Sequence, residues 1–256
     1  MSTNVSSDHD VVVVLLGASN LARAHHAIVN HLHKEIWQHH VEFMSAMGPG
    51  RAYCVEGGML HVRYPAIESC GVFEAIRQRA QSPCRIIALV TDIGNDIMYG
   101  VSAEDLVRCL GRLFDELRAL NANVIATTIH VDLESEVSEY HFLLLRTLFF
   151  PRSSVTYREA AAAIRRINSF LGEKEDDTFH IVKDMKRYVG GDKIHYTLLK
   201  SHLGWTQLTA EILGFLKLVP SRKIGWVRIV KSLLINIIRV LFTDLIPLWR
   251  RNKVLF

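Results

Sequence analysis

The first ordered pattern in the chain is Val11 to Leu16, an uninterrupted aliphatic run that stops at Gly17. A strand buried on both faces reads this way, because neither side of its pleat meets water. From Ser19 to Trp37 the apolar residues Leu21, Ala24, Ile28, Leu32 and Ile36 recur at helical spacing, so a helix is expected to begin where the strand ends. The alternation then repeats. It predicts strands at 41–47, 85–91, 124–128 and 178–182, and helices near 73–80, 103–120, 137–149, 155–171 and 198–216, with a Gly-rich loop after the second strand. Strands alternating with helices imply an α/β fold: a three-layer, doubly wound, flavodoxin-like sheet of five parallel strands with helices on both faces. The expected division is a flexible start over 1–10, one domain over 11–216 and a helical tail over 217–256.

Composition changes this picture little. With 49% hydrophobic and 22% charged residues, the 256-residue chain has enough apolar material for one well-filled core. Cys54, Cys70, Cys84 and Cys109 form no CxxC pair and no Cys/His zinc spacing, so four reduced thiols are expected. Met1 to Asp10 is polar and acidic and lacks the parts of a secretion signal, which points to a cytoplasmic protein. Charge is more telling. The net value is +4, yet residues 217–256 hold nine Lys or Arg against Asp244 alone, leaving the rest of the chain acidic. A basic excess confined to one end argues against a nucleic-acid-binding core and for an anionic surface met by the tail.

Ligands of doubly wound sheets sit beyond the carboxyl ends of the strands, where connecting loops converge and helix N-termini present free amides. Polar residues at those positions are therefore the candidates for chemistry. Gly17-Ala18-Ser19-Asn20 follows the first strand and Gly48-Pro49-Gly50-Arg51 the second. Asp92-Ile93-Gly94-Asn95-Asp96 follows the third, and Asp192-Lys193-Ile194-His195 comes after the fifth. Each has a structural reading as well, as an N-cap or a turn. A carboxylate three residues before a histidine can hold the ring Nδ1–H while Nε2 faces a serine hydroxyl.

Taken together and in this order, the four blocks resemble the SGNH or GDSL hydrolase superfamily over about Val11 to Leu216. The resemblance implies that Ser19 is the nucleophile, that Asp192 and His195 complete a catalytic triad, and that the N–H groups of Ser19 and Gly50 and the Asn95 amide form an oxyanion hole. It implies a serine hydrolase acting on an acyl ester or thioester, of esterase, lipase or acyl-transfer type, with no metal or organic cofactor. Two features depart from the family pattern. Ala18 stands where the motif has an aspartate, and Gly204 lies nine residues after His195 rather than five, which leaves His202 as a rival base.

Arg51, Tyr99 and His130 are candidate substrate contacts, and the expected substrate is a small-molecule or lipid-linked acyl compound. The histidines at 25, 26, 31, 33, 39 and 40 lack any carboxylate-supported motif and read as a solvated helix face rather than a metal site. In the tail, Arg228, Lys231, Ser232, Asn236, Arg239 and Thr243 share one face of a very apolar stretch over 224–246, an amphipathic helix followed by Trp249, Arg250, Arg251 and Lys253. Peripheral attachment to an anionic membrane is the first expectation for it; packing of its apolar face on the same domain or on a second copy in a homo-oligomer is the alternative. Two other readings of the whole chain stay open: a catalytically idle relative that binds a ligand or protein in the same cleft, and a nucleotide-binding domain, although the first turn lacks GxGxxG and a P-loop lysine.

Overall fold

The computed structural model describes residues 10–59 and 62–245. The expected flexible start lies outside this range except for Asp10, which opens the first strand. Five strands, β1 (Asp10–Leu16), β2 (Val41–Ala46), β3 (Cys84–Val90), β4 (Asn123–Thr127) and β5 (Phe179–Val182), form one parallel sheet in the order β2-β1-β3-β4-β5. β1 is central because its residues from Val11 onward are apolar on both faces and fully buried.

Alternation along the strands sorts the core into two layers. Val12, Val14, Leu16, Ala88 and Val90 pack with the helices α2 (Val72–Arg79), α4 (Ala103–Ala119) and α7 (Tyr157–Glu173). Val11, Val13, Leu15, Ile87 and Leu89 pack with α1 (Ser19–Glu35) and α8 (Ser201–Phe215) on the other side. Three further helices complete this region: the short α3 (Asn95–Met98) and α5 (Leu133–Glu136), and the longer α6 (Glu139–Phe149). The two single-turn helices are not legible as periodicity, since four residues span barely one turn. The predicted start of α8 at 198 is also late in the structure. Residues 197–200 form a turn in which Lys200 N–H donates to the Thr197 carbonyl, and the helix begins at Ser201.

Two expectations are corrected. Cys54 and Cys109 form a disulfide, with Cα atoms 6.0 Å apart across a sequence separation of 55, leaving Cys70 and Cys84 as free thiols. The loop after β2 lies on α4, a juxtaposition that no local spacing in the sequence announces. The histidines of α1 do not share a solvated face: His31 is buried, and His25 is half-buried with its Nε2 2.8 Å from Ser45 Oγ.

The tail forms α9 (Trp226–Arg239), continued by a wider turn over Val240–Leu245 and packed on α1. It meets the domain through a mixed face, in which Ile229 joins the core beside α1 and α8. Ser232 and Asn236, from the polar stripe, are buried against the domain, whereas Val227, Leu234, Ile237 and Ile238 are exposed. Trp249, Arg250, Arg251 and Lys253 lie outside the described residues. No described helix is long and apolar enough to cross a membrane.

Candidate active site

The chain leaves β1 for β2 on one side and returns to β3 on the other, so the loops after β1 and β3 diverge and open a crevice at the carboxyl edge of the sheet. Ser19 sits in that crevice as the first residue of α1. The turn before it is tight: a Cβ on Gly17 would come within 2.8 Å of Thr91 Cγ2 on the neighbouring β3 connection. Ala18 has no side chain with which to cap the helix, and the cap is supplied from β3 instead. Asp92 Oδ2 accepts from Ala18 N–H at 2.9 Å and from Leu21 N–H at 3.2 Å. A carboxylate there also complements the positive end of the helix dipole. Asp92 holds this position with φ +58, a left-handed conformation that Asp tolerates better than most residues. The Ser19 N–H has no acceptor among the described residues.

Asn20 ties this turn to the distant loop over 190–196. Its amide donates to Asp92 Oδ1 at 2.9 Å and to the Ile194 carbonyl at 3.1 Å, and its Oδ1 accepts from Tyr196 N–H at 2.9 Å. That loop is itself closed by Gly190 N–H donating to the His195 carbonyl and by Asp192 Oδ1 accepting from the N–H groups of Ile194 and His195. The result is a continuous side-chain relay. Ser19 Oγ lies 3.0 Å from His195 Nε2, and His195 Nδ1 lies 2.7 Å from Asp192 Oδ2. Burial alone would raise the Asp192 carboxyl, but the His195 ring and the two N–H groups outweigh it and bring the value down to about 2. Near neutral pH Asp192 is therefore an acceptor only, so His195 Nδ1–H donates to it and Nε2 faces the serine hydroxyl. The edge-on ring of Phe149, 5.9 Å from the imidazole, packs against it from α6.

Ser19, Asn95, Asp192 and His130 border a cavity of about 140 Å³ whose inner walls are Ile97, Leu133, Phe142, Phe150 and Ile164. Asn95 opens α3 and uses one amide proton on the Arg51 carbonyl at 2.8 Å, leaving the other for the cavity. His130 Nε2 is 3.0 Å from the Tyr196 hydroxyl, and burial lowers the ring to about 4, so it is neutral.

Other candidates fall elsewhere. Gly50, with φ +72, is wedged where a Cβ would meet the Gly58 carbonyl at 2.7 Å, and it does not line the cavity. Tyr99 does not line it either: its hydroxyl donates to the Gly50 carbonyl at 2.7 Å and accepts from Gly58 N–H at 3.0 Å, clamping the loop rather than facing a substrate. Arg51 is fully buried with its guanidinium 5.8 Å from the Tyr64 ring, away from the residues that line the cavity. His202 is in the first turn of α8 and has no bond to Ser19 among the described residues. Asp10, His40 and Glu42 could approach a cation, but they lie at the opposite end of the sheet, where Arg79 pairs with both carboxylates.

No protein-family model matches the chain, and no curated protein matches it. Among solved structures it is similar to a GDSL-like lipase from Bacteroides thetaiotaomicron, at 13% identity over 80% of this chain and 88% of that one, with a TM-score of 0.49. It is similar also to a member of the lipolytic protein G-D-S-L family from Veillonella parvula, at 10% identity over 80% and 98% with a TM-score of 0.45. A third is the psychrotrophic esterase EstA from Pseudoalteromonas sp., at 13% identity over 80% and 98% with a TM-score of 0.40. The likeness is one of chain path. At such identities and TM-scores it says nothing about which bond is cut.

Proposed function

We propose that the protein is a serine hydrolase of acyl esters or thioesters, in which Ser19, His195 and Asp192 form the catalytic triad. The observation that carries this reading is the relay from Ser19 Oγ through His195 to Asp192 at the mouth of an apolar cavity. His195 Nε2 takes the hydroxyl proton as Ser19 Oγ bonds to the acyl carbon. Asp192 holds the tautomer and stabilises the imidazolium that forms. The carbonyl oxygen becomes an oxyanion, which receives the Ser19 N–H and the free proton of the Asn95 amide; loss of one such donor typically costs about 3 kcal/mol of transition-state stabilisation. The N–H of Gly50, in the loop clamped by the Tyr99 hydroxyl, is the third candidate donor. Collapse breaks the bond to the leaving oxygen or sulfur, which takes the proton from His195. Water, deprotonated by the same ring, then releases the acyl group from Ser19.

The cavity walls fit an apolar acyl chain, since they bury aliphatic and aromatic side chains and offer few polar partners beyond the mouth. The test is hydrolysis of p-nitrophenyl esters of increasing acyl length by wild type, Ser19→Ala, His195→Ala and His202→Ala. Expected are turnover by wild type and by His202→Ala, and loss of about 10⁴-fold or more in kcat for the other two. Equal activity in wild type and Ser19→Ala would refute the assignment.

A further inference from the structure

An amphipathic helix on a globular domain ordinarily turns its apolar stripe inward. The helix α9 buries only Ile229 of its apolar residues, beside two polar ones, and leaves the rest of the stripe outside. Ser232 is 1% exposed and Asn236 8%, both facing α1, while Val227, Leu234, Ile237, Ile238, Leu241 and Phe242 on the far side are 44–71% exposed. The inward contacts are mixed and close: Ile229 joins the core beside α1 and α8, Ser232 Oγ accepts from the Ala27 N–H at 3.3 Å, and the small side chains of Ala24 and Ala27 are buried beneath the helix. Nor is the arrangement loosely held. The connection into α9 is fixed by Ser221, whose N–H and hydroxyl donate to Glu35, and by Ile224, which is buried and donates its N–H to Thr206 Oγ1 at 3.0 Å.

We propose that this outward stripe is a docking surface for an anionic lipid membrane. Charge decides among the possible occupants. Residues 217–256 carry nine Lys or Arg against one Asp, and Arg222, Lys223 and Lys231 are exposed on the connection and flank of the stripe. A second copy would bring an equal positive charge against the first, whereas an anionic leaflet attracts it. The stripe supplies the other half of such binding, apolar area that can enter the headgroup boundary, with Trp226 and Phe242 at its two ends.

The inner side of α9 lies close to the loops that carry the candidate active site. Ile229 and Leu233 of α9 share a small crevice with Asn20 and Leu198, residues adjoining Ser19 and following His195. Leu198, Leu199 and Leu203, at the start of α8, are further exposed apolar residues. The docking itself requires no activity.

The test is co-sedimentation of the full chain with vesicles of phosphatidylcholine alone and of phosphatidylcholine with phosphatidylglycerol, for wild type and for a Leu234→Glu/Ile237→Glu variant. Both side chains point away from the domain, so the variant should melt as wild type does. Expected are binding to the anionic vesicles that weakens at high salt, weak binding to the neutral ones, and a loss of about tenfold or more in the variant. Wild type remaining in the supernatant with anionic vesicles, equal binding to both vesicle types, or undiminished binding by the variant would overturn the proposal. So would a wild-type dimer in sedimentation equilibrium that the variant converts to monomer. A catalytically dead but vesicle-bound protein would refute only the hydrolase reading.

Discussion

The backbone N–H of Tyr196 donates to Asn20 Oδ1 at 2.9 Å, joining the residue after Ser19 to the residue after His195. Two segments 176 positions apart are thereby registered by one amide, which also reaches Asp92 and the Ile194 carbonyl. Asn20 is a positioning residue: it need not touch a substrate to set the Ser19–His195 distance.

Replacing it should separate geometry from binding. Asn20→Ala leaves the Tyr196 N–H and the Ile194 carbonyl without their partner, a cost of about 1–3 kcal/mol. The accompanying drift of His195 is expected to lower kcat by about tenfold to a hundredfold with KM little changed. Urea denaturation and steady-state kinetics on a p-nitrophenyl ester measure the two effects. A stability loss with kcat unchanged would show Asn20 to be structural only.

Asp92 caps α1 in place of Ala18, so its substitutions should rank by how much of the cap survives. Asp92→Asn keeps one oxygen acceptor and a residue tolerant of positive φ, whereas Asp92→Ala keeps neither. Losses of about 1 kcal/mol for Asn and about 2 kcal/mol or more for Ala are expected from thermal melts. The reverse order would contradict the capping role.

Stability should fall as pH drops below neutral. Burial holds His130 at about 4, and burial with Arg239 and His26 holds His25 at about 4, against an ordinary value of 6.5. Through that interval the unfolded chain binds protons that the native chain refuses, so acidification favours unfolding. Asp96 opposes this: burial raises it to about 6, and below that the native carboxyl gains a proton the unfolded one has not yet taken. Two histidines against one carboxylate leave a net loss. Asp192 extends it, since its contribution is present above its unfolded value near 4 and disappears toward about 2. Melting temperatures between pH 7 and 4 test the sign, and a rise on acidification would contradict it.

Cys54 and Cys109 should resist alkylation in the unreduced denatured protein, while Cys70 and Cys84 react. Mass spectrometry would then show two added groups before reduction and four after it. The Cys54→Ser/Cys109→Ser variant should lose up to about 4 kcal/mol of stability, the loop-closure estimate for a separation of 55. Four alkylated thiols without reductant would mean that no bridge forms.

Much of the sheet was legible because each strand and long helix carries its own signal: β1 is apolar from Val11 onward, and α4 and α7 keep strict helical periodicity. The strand-end positions of Ser19, Asn95, Asp192 and His195 were legible for the same reason. What was not legible depends on residues that meet only through folding. Asp92 capping a helix that starts 73 residues earlier has no local signature; the short helices α3 and α5 have too few residues to show a period. Arg51 and Tyr99 looked available because they are polar and follow strands, yet both turn into the loop packing around Gly57 and Gly58. The tail helix was recognisable as amphipathic, but which of its faces meets the domain depends on α1, where Ala24 and Ala27 accept a close polar neighbour.

The most direct test of the central claim is labelling with a fluorophosphonate, which phosphonylates only a serine whose hydroxyl is activated by a neighbouring base. Peptide mapping should place a single stoichiometric adduct on Ser19 in wild type, retain it in His202→Ala, and lose it in His195→Ala. A folded wild-type protein that takes up no label at Ser19, or that takes it up equally without His195, would contradict the account.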